Sequence, residues 1–285
     1  MKKILITGGT SLIGKSLIND LKFFYELHLI KRSKMYKKVK NKNIVTYFLN
    51  TSSHKKIYDI FKRENFFCVI HLASNTKKIH NQSDIKPMID SNLIFGSYIL
   101  DAMIKNKSKY FINVGTYWQF YKKESAVNFY SATKNAFQEI INYYTDKYNL
   151  TSISLILFDV YSPNDNRKKI FQIVSENANK NKKTFLSTGN QKMRLLHISD
   201  VVQAFKVALK VISQKKLSNR HSIFYLTCKT FSLKKIIDIF ASKKKINKKL
   251  LIWGALKLKN IIYNPACGKK LPNWRAKISL NKMFE

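Results

Sequence analysis

The sequence predicts an α/β fold built on a doubly wound parallel sheet with helices on both faces. Three observations indicate this fold. Short apolar runs recur along the chain, amphipathic segments separate them, and a glycine-rich turn follows the first run directly. Strands that alternate with helices form a parallel sheet, because each helix carries the chain back to the start of the next strand.

The first predicted unit is a strand, a tight turn and a helix. An apolar run at 3–7 leads into the turn at 8–14, which reads GGTSLIG, and an amphipathic segment continues to about residue 24. Gly8 would make the turn, and Gly14 would let the helix pack close to the strand. This context places a phosphate at a helix N-terminus. A loop with only a structural role is the alternative.

The second predicted strand, 27–30, ends in the basic residues Lys31 and Arg32. An NAD enzyme of this fold places an acidic residue there, on the ribose hydroxyl. A basic residue such as Arg32 would instead pair with a 2′-phosphate. The sequence therefore predicts NADP(H) as cofactor, with a solvated basic loop as the alternative.

The alternation of strands and helices continues along the chain. Apolar runs predict further strands at 44–49, 67–72, 110–114 and 153–157, and amphipathic segments predict helices around 57–61 and 84–105. We expect Gly115 to end the strand at 110–114. Ser232 is a suitable N-cap for a helix that begins at Leu233.

A candidate catalytic group follows the strand at 110–114. Tyr130 and Lys134 stand four residues apart on a predicted helix, so their side chains share one face. We expect the ammonium to lower the pKa of the phenol from its reference of about 10. With a hydroxyl from Thr116 to hold a carbonyl oxygen, these groups could reduce a ketone.

The Tyr-x-x-x-Lys spacing alone does not select this pair. Five such pairs occur in the sequence, and they begin at Tyr36, Tyr58, Tyr130, Tyr143 and Tyr225. Tyr130 differs from the others because it follows a strand that ends in small and hydroxyl residues. A packed tyrosine beside a solvated lysine is the interpretation for the other four.

Composition limits the class of protein. The length of 285 residues suits one sizeable domain, or one large domain and one small. Three scattered cysteines are too few for a disulfide framework or a zinc site, so no metal is predicted. No apolar stretch is long enough to cross a membrane, and the apolar start breaks at Gly8 before it could form a signal peptide. We therefore expect a cytoplasmic protein.

The charge is strongly positive. Lysine and arginine total 53 against 16 acidic residues, which gives a net charge of +37. Such a field could attract nucleic acid or an anionic membrane surface. Only six of the basic residues are arginine, however, and the lysines are scattered in short clusters. Compositional bias is the favoured explanation, and no specific nucleic-acid partner or membrane insertion is expected.

Four motifs in this order carry a resemblance to a known family: GGTSLIG at 8–14, HLAS at 71–74, the Gly115-Thr116 loop, and YSATK at 130–134. The chain resembles the extended short-chain dehydrogenases/reductases, and more narrowly the nucleotide-sugar epimerase/dehydratase superfamily. The resemblance covers nearly the whole chain. It implies a Rossmann-like sheet with a smaller C-terminal cap that binds the substrate.

Domain bounds follow from the resemblance. Residues 1–163 would form the NADP-binding domain, and 191–215 would return to it. Residues 164–190 and 216–285 would form the cap. Relatives often dimerise through two helices per subunit, so the resemblance also implies a homodimer, formed by the helix at 84–105 and the helix that bears Tyr130.

The resemblance also implies site residues. The catalytic residues would be Thr116, Tyr130 and Lys134. The cofactor would contact Gly8, Thr10, Ser11, Leu12, Ile13, Gly14, Arg32, Asn50, Leu72, Ala73 and Ser74, together with Tyr130 and Lys134. The substrate would contact Thr116, Tyr117, Gln119, Asp159 and Arg194. Three positions depart from the family pattern: Ser11 replaces a glycine, Asn50 a frequent aspartate, and Asp159 an asparagine.

The absence of an acidic pair narrows the set of reactions that the resemblance allows. Relatives that eliminate water carry an Asp-Glu pair directly after the catalytic threonine, where this chain has Tyr117 and Trp118. The run 113–119 and the short loop to Tyr130 resemble CDP-abequose and CDP-paratose synthases, which reduce CDP-linked 4-keto-3,6-dideoxyhexoses for the O-antigen of lipopolysaccharide. We therefore expect an NADPH-dependent 4-ketoreductase. The alternatives are a nucleotide-sugar 4-epimerase and a non-catalytic dinucleotide-fold protein that binds nucleic acid.

Overall fold

A computed structural model describes residues 1–32, 41–49, 53–120, 125–163, 165, 167–214, 217, 220–257 and 265–285. The strands are β1 (Lys3–Thr7), β2 (Glu26–Lys31), β3 (Ile44–Phe48), β4 (Phe66–His71), β5 (Tyr110–Thr116), β6 (Thr151–Leu157), β7 (Asp159–Tyr161), β8 (Thr184–Phe185), β9 (Lys192–His197), β10 (His221–Tyr225), β11 (Thr230–Ser232) and β12 (Leu251–Ile252). The helices are α1 (Leu12–Leu21), α2 (His54–Arg63), α3 (Gln82–Ile89), α4 (Phe95–Lys105), α5 (Phe129–Lys147), α6 (Ile170–Asn179), α7 (Ile198–Ser213), α8 (Leu233–Lys243) and α9 (Leu280–Met283).

The main sheet has seven strands in the order β10-β6-β5-β4-β1-β2-β3, and every pairing in it is parallel. A strand covered on both faces must be apolar on both faces. In β1 the consecutive residues Ile4, Leu5 and Ile6 are accordingly all fully buried. The predicted fold class, a Rossmann-like doubly wound sheet with a smaller C-terminal region, is confirmed.

Helices cover the two faces of the sheet and form two separate cores. Leu17 of α1 and Phe205 of α7 belong to the core on one face. Ile57 of α2, Ile99 of α4 and Phe137 of α5 belong to the core on the other face. Helix α7 lies in the segment that we expect to return to the main domain, and it packs there on β5 and β6.

The smaller region contains a three-stranded sheet, β11-β9-β7, and a two-stranded sheet, β12-β8. Its core holds the mutually packed rings of Tyr161, Phe171, Phe240 and Phe284. Ser232 caps α8 as predicted, since its hydroxyl accepts a hydrogen bond from the Lys235 N–H at 3.2 Å. Strand β10 falls within the predicted cap range but pairs with β6 at the edge of the main sheet. The domain bounds stay a prediction.

Two predicted elements differ from the structure. Strand β5 does not end at Gly115 but continues to Thr116, which pairs with Leu157 of β6. A Cβ on Gly115 would lie 2.4 Å from Ile156 Cδ1 and 2.7 Å from Gln119 Oε1, so this glycine serves close packing within the strand rather than a turn.

The helix predicted at 84–105 is interrupted. Between α3 and α4 lies a π-helical segment, Asp90–Ile94, which begins three residues after Pro87. Such wide turns occur frequently at functional sites. This one turns the polar residues Ser91 and Asn92 inward, where both are buried.

No helix in the described ranges is both long enough and apolar enough to cross a bilayer. Within the same ranges, no group of three His, Cys, Asp or Glu side chains could hold a metal ion. The homodimer stays a prediction.

Gly96→Val should destabilise the fold by about 2 kcal/mol or more, because a side chain there overpacks the α4–α5 contact. Its Cβ would lie 2.4 Å from two ring carbons of the buried Phe137. Urea unfolding measures the change. In a Phe137→Ala background the same substitution should cost much less, and equal costs in the two backgrounds would contradict this packing account.

Candidate active site

The site forms at the carboxyl ends of the parallel strands. In a doubly wound sheet, ligands bind where the strand order reverses, which here is between β1 and β4. Gly8 directly follows β1, the segment 72–74 follows β4, and Thr116 ends β5. The predicted cofactor and catalytic positions therefore meet at one edge.

The glycine turn forms a cradle in which two positions, Gly8 and Gly14, have no room for a side chain. Gly8 has φ +70°, and a Cβ on it would lie 2.6 Å from the backbone of Leu72 and of Ala73. A Cβ on Gly14 would lie 2.4 Å from the Gly8 carbonyl oxygen. The N-terminus of α1 opens at this turn, with no acidic residue in its first turn. The cradle fits the pyrophosphate of a dinucleotide.

The departure at Ser11 has a structural explanation. Ser11 is the N-cap of α1, and its hydroxyl accepts a hydrogen bond from the Gly14 N–H at 3.0 Å. The side chain is thereby turned onto the helix end and does not fill the cradle. Thr10, Leu12 and Ile13, the other predicted cofactor contacts of this turn, are half-buried.

Below the cradle, a buried polar pair joins β1 to β4. The Thr7 hydroxyl lies 2.9 Å from His71 Nδ1, and it accepts a hydrogen bond from the Ala73 N–H at 3.2 Å. Burial, together with the positive charge of Lys134, lowers the pKa of His71 to about 3. His71 is therefore neutral at physiological pH. His71 supports the predicted cofactor contact Ala73 only through Thr7, and as a neutral group it does not repel Lys134.

Tyr130 and Lys134 both lie on α5 near this edge. Lys134 is only 3% exposed, and burial lowers its pKa to about 8, which leaves it mostly charged at neutral pH. Burial raises the pKa of Tyr130 to about 12, although a hydrogen bond with Ser74 opposes the rise. The expectation that Lys134 lowers this pKa below 10 is wrong, because burial raises it and the hydrogen bond with Ser74 offsets only part of the rise. Tyr130 is a protonated phenol at neutral pH, as a proton donor must be.

Asn92, in the π-helical segment, holds Ser74 in place and was not among the predicted residues. Its Oδ1 accepts hydrogen bonds from the Ser74 hydroxyl at 3.0 Å and from the Asn75 N–H at 2.7 Å. Its amide donates to the Asn75 carbonyl at 3.0 Å and to the Thr133 hydroxyl at 2.9 Å. Asn92 thus ties the loop after β4 to α5. In the sequence, the signal that could have identified Asn92 is an amide among the apolar positions of a predicted helix, shortly after Pro87.

Gln119 was expected to contact the substrate, but the structure places it inside the protein. It is 2% exposed, and its Oε1 accepts a hydrogen bond from the Thr116 N–H at 2.7 Å. Its amide donates to Asn135 of α5 at 3.2 Å, and the Asn135 amide donates to the Gln119 carbonyl at 2.9 Å. Gln119 therefore positions the end of β5 against α5, next to Thr116.

Three predicted substrate residues lie around Phe158: Tyr117, Asp159 and Arg194. Tyr117 stacks on Phe158 with ring centroids 5.0 Å apart, and its hydroxyl donates to Asp159 Oδ2 at 3.2 Å. The Arg194 guanidinium lies 5.0 Å from the centroid of the Phe158 ring and donates to the Pro265 carbonyl at 2.6 Å.

Electrostatics at this group favour an anionic ligand. Burial raises the pKa of Asp159, while the positive charges of Lys169 and Lys78 oppose the rise. Lys78 also lies 4.7 Å from the centroid of the Trp118 ring. Lys169 also lies 3.5 Å from Asp165, so two carboxylates share its charge, whereas Lys78 and Arg194 lie over aromatic rings. These cations can attract a phosphate group.

Two predicted cofactor contacts remain. Arg32 is exposed at the carboxyl end of β2, the edge where the adenosine half of a dinucleotide would lie. Asn50 lies outside the described residues.

The fold and the cradle define a dinucleotide-binding protein, and comparison with known proteins gives its family. A sequence profile of the NAD dependent epimerase/dehydratase family matches residues 4–221. The chain belongs to this family, for which an NAD(P) cofactor is typical. The resemblance carried by the four motifs is thereby confirmed.

Individual relatives narrow the comparison. The chain is 31% identical over 214 residues to the CDP-abequose synthase of Yersinia pseudotuberculosis, covering 71% of each chain. It is 26% identical over 262 residues to the CDP-abequose synthase of Salmonella muenchen, covering 91% of this chain and 86% of that one. The homology to CDP-abequose synthase is therefore distant.

Solved structures support the fold. The UDP-glucose 4-epimerase of Thermotoga maritima, solved with UDP-glucose, matches with a TM-score of 0.83 at 17% identity, covering 99% of this chain and 96% of that one.

Gly8→Ala should weaken dinucleotide binding at least about tenfold, because the new methyl group collides with the backbone after β4 and displaces the cradle. Titration of NADPH fluorescence measures the affinity. Gly254→Ala is a matched control, since Gly254 also has positive φ, +81°, but a Cβ there meets no atom within 4 Å. Equal affinity of the two variants would contradict this role of Gly8.

Proposed function

We propose that the protein reduces the C4 ketone of a nucleotide-linked 4-keto-deoxyhexose with NADPH. The observation that carries this proposal is the protonated phenol of Tyr130 at the edge where the dinucleotide cradle opens. A ketone that accepts hydride needs a proton on its oxygen, and Tyr130 can supply it. The CDP-abequose synthases among the relatives favour a CDP-linked sugar.

Different residues would hold different parts of the cofactor. NADPH, when bound, supplies the hydride. Gly8, Gly14 and the N-terminus of α1 would hold its pyrophosphate, and Arg32 its 2′-phosphate. We assign Lys134 to the ribose beside the nicotinamide.

Proton transfer is assigned to three side chains. The Thr116 hydroxyl would hydrogen-bond the ketone oxygen, and Tyr130 would donate its proton to that oxygen as negative charge develops. The charge of Lys134 then stabilises the phenolate that Tyr130 becomes. Ser74, held by Asn92, keeps the phenol oriented.

The substrate diphosphate is assigned to the cations around Phe158. Arg194 is the predicted contact, and Lys169 and Lys78 add positive charge beside it. The Tyr117 hydroxyl donates a hydrogen bond to Asp159, and both side chains would face the sugar.

The same residues argue against dehydration. An Asp-Glu pair directly after Thr116 would be needed as acid and base, whereas Tyr117 is engaged with Asp159 and the ring of Trp118 lies against Lys78. A C4 epimerase that recycles its cofactor remains the second candidate, because epimerases share the fold. A role in the synthesis of O-antigen or another surface polysaccharide follows from the preferred substrate.

The test is NADPH oxidation with a panel of CDP-, dTDP- and UDP-linked 4-keto-6-deoxy and 4-keto-3,6-dideoxy hexoses. We expect stoichiometric oxidation with a CDP-linked ketone, and tighter binding of NADPH than of NADH because of Arg32. Arg32→Ala should remove that cofactor preference. Interconversion of C4 epimers without net NADPH consumption would favour the epimerase instead.

Tyr130→Phe should lower kcat by about 10²–10⁴-fold while NADPH affinity stays nearly unchanged, because the variant loses only the proton donor. The matched control is Tyr143→Phe on the same helix. Tyr143 also precedes a lysine by four residues but is 53% exposed. Full activity of Tyr130→Phe, or an equal loss in Tyr143→Phe, would refute the assignment.

The rate of ketone reduction should fall as pH rises through about 8, where Lys134 loses its proton. Tyr130, with a pKa of about 12, stays protonated over this range and cannot cause the fall. A pH profile of kcat/KM measures the effect. In Lys134→Arg the guanidinium keeps its charge, so the fall in kcat/KM above about pH 8 should disappear even if the overall rate is lower. If the same fall persists in Lys134→Arg, the pH dependence belongs to another group.

A further inference from the structure

The edge of the main sheet opposite the candidate active site carries an unusual surface. The amino ends of all seven parallel strands lie there. Phe23 and Phe24 lie just before β2, Lys2 lies just before β1, and Lys107 and Lys109 lie just before β5. We call these five residues, with Lys22, the amino-edge surface.

The apolar part of this surface is a pair of neighbouring phenyl rings. Helix α1 ends at the buried Leu21, whereas Phe23 and Phe24 are 69% and 59% exposed. Each ring has an ammonium group beside it. Lys22 Nζ lies 5.1 Å from the centroid of Phe23, and Lys206 Nζ lies 5.1 Å from the centroid of Phe24. Two adjacent exposed phenyl rings contribute little to the core and suit contact with an apolar partner.

The basic part is continuous with the phenyl pair. The Lys2 carbonyl accepts a hydrogen bond from the N–H of Glu26, two residues after Phe24. Lys2, Lys107 and Lys109 line one shallow depression, and Lys2 Nζ lies 4.2 Å from the centroid of the Phe67 ring in it.

The nearby carboxylates do not neutralise these lysines. Lys3 Nζ lies 3.8 Å from Glu26 and 2.7 Å from Glu64, so it offsets one of these two negative charges, and Lys2, Lys22, Lys107 and Lys109 outnumber the other. Over the described ranges, no ion pair involves Lys2, Lys107 or Lys109. The amino-edge surface therefore presents net positive charge around an apolar tip.

We propose that the amino-edge surface binds anionic phospholipid bilayers. Vicinal phenyl rings on a turn can enter the boundary between headgroups and acyl chains, and surrounding lysines attract anionic headgroups. The basic residues here are lysines, which act as point charges, rather than the forked arginines that nucleic-acid recognition favours. This contact lies on the surface and needs no membrane-spanning segment.

The orientation agrees with catalysis in solution. The cradle at Gly8 and the proton donor Tyr130 lie at the carboxyl ends of the strands. A protein bound to a bilayer through its amino-edge surface would therefore turn this opposite edge toward the aqueous phase, where charged substrates and cofactors are. The proposal is independent of the reaction assigned above.

The experiment is co-sedimentation of the full chain with phosphatidylcholine vesicles, without or with about one-third phosphatidylglycerol, at about 0.15 M salt. We expect binding to the anionic vesicles only. The double variant Phe23→Ser/Phe24→Ser should bind at least about tenfold more weakly, because two rings no longer enter the apolar boundary. Lys107→Glu/Lys109→Glu should weaken binding as well.

Phe185→Ser is the matched control, since Phe185 is 55% exposed but lies in β8 of the smaller region. It should bind like the unchanged protein. Thermal unfolding confirms that every variant is folded, without reference to any enzymatic activity. No binding to anionic vesicles, or equal binding by Phe23→Ser/Phe24→Ser, would overturn the proposal. The proposal would also be overturned if the protein bound single-stranded RNA through Phe23 and Phe24 and did not bind vesicles.

Discussion

The close approach of two backbones at the carboxyl ends of β1 and β4 is the constraint on which the site depends. Gly8 leaves no room for a Cβ between itself and the chain after β4. The contact brings the start of α1 against the loop that carries Ala73 and Ser74. That loop in turn reaches α5 through Asn92. The glycine turn, the loop after β4 and α5 thus form one connected frame.

Burial controls the chemistry of this frame more than pairwise charge does. The phenol of Tyr130 is kept protonated, the imidazole of His71 is kept neutral, and the ammonium of Lys134 titrates near 8. Each of these pKa shifts favours the neutral form of its group, as desolvation requires. A phenol that keeps its proton at neutral pH is what the proposed role of Tyr130 as proton donor requires.

Two positively charged surfaces lie on opposite edges of the sheet. At the carboxyl edge, Arg194 lies over the ring of Phe158, and the charges of Lys169 and Lys78 act on the adjacent Asp159. At the amino edge, Lys2 and Lys22 accompany exposed aromatic rings instead. The two surfaces therefore differ in the groups that accompany the positive charge.

The sequence by itself determined the order of elements, the glycine turn and the spacing of Tyr130 and Lys134, because these depend on local periodicity and on backbone conformations open only to glycine. It singled out Tyr130 from its context among five similar pairs. Tertiary structure alone decided the pKa of Tyr130, because desolvation depends on what packs around the ring. It likewise placed Gln119 inside and turned Asn92 toward Ser74, since hydrogen bonds between residues distant in sequence leave no local pattern.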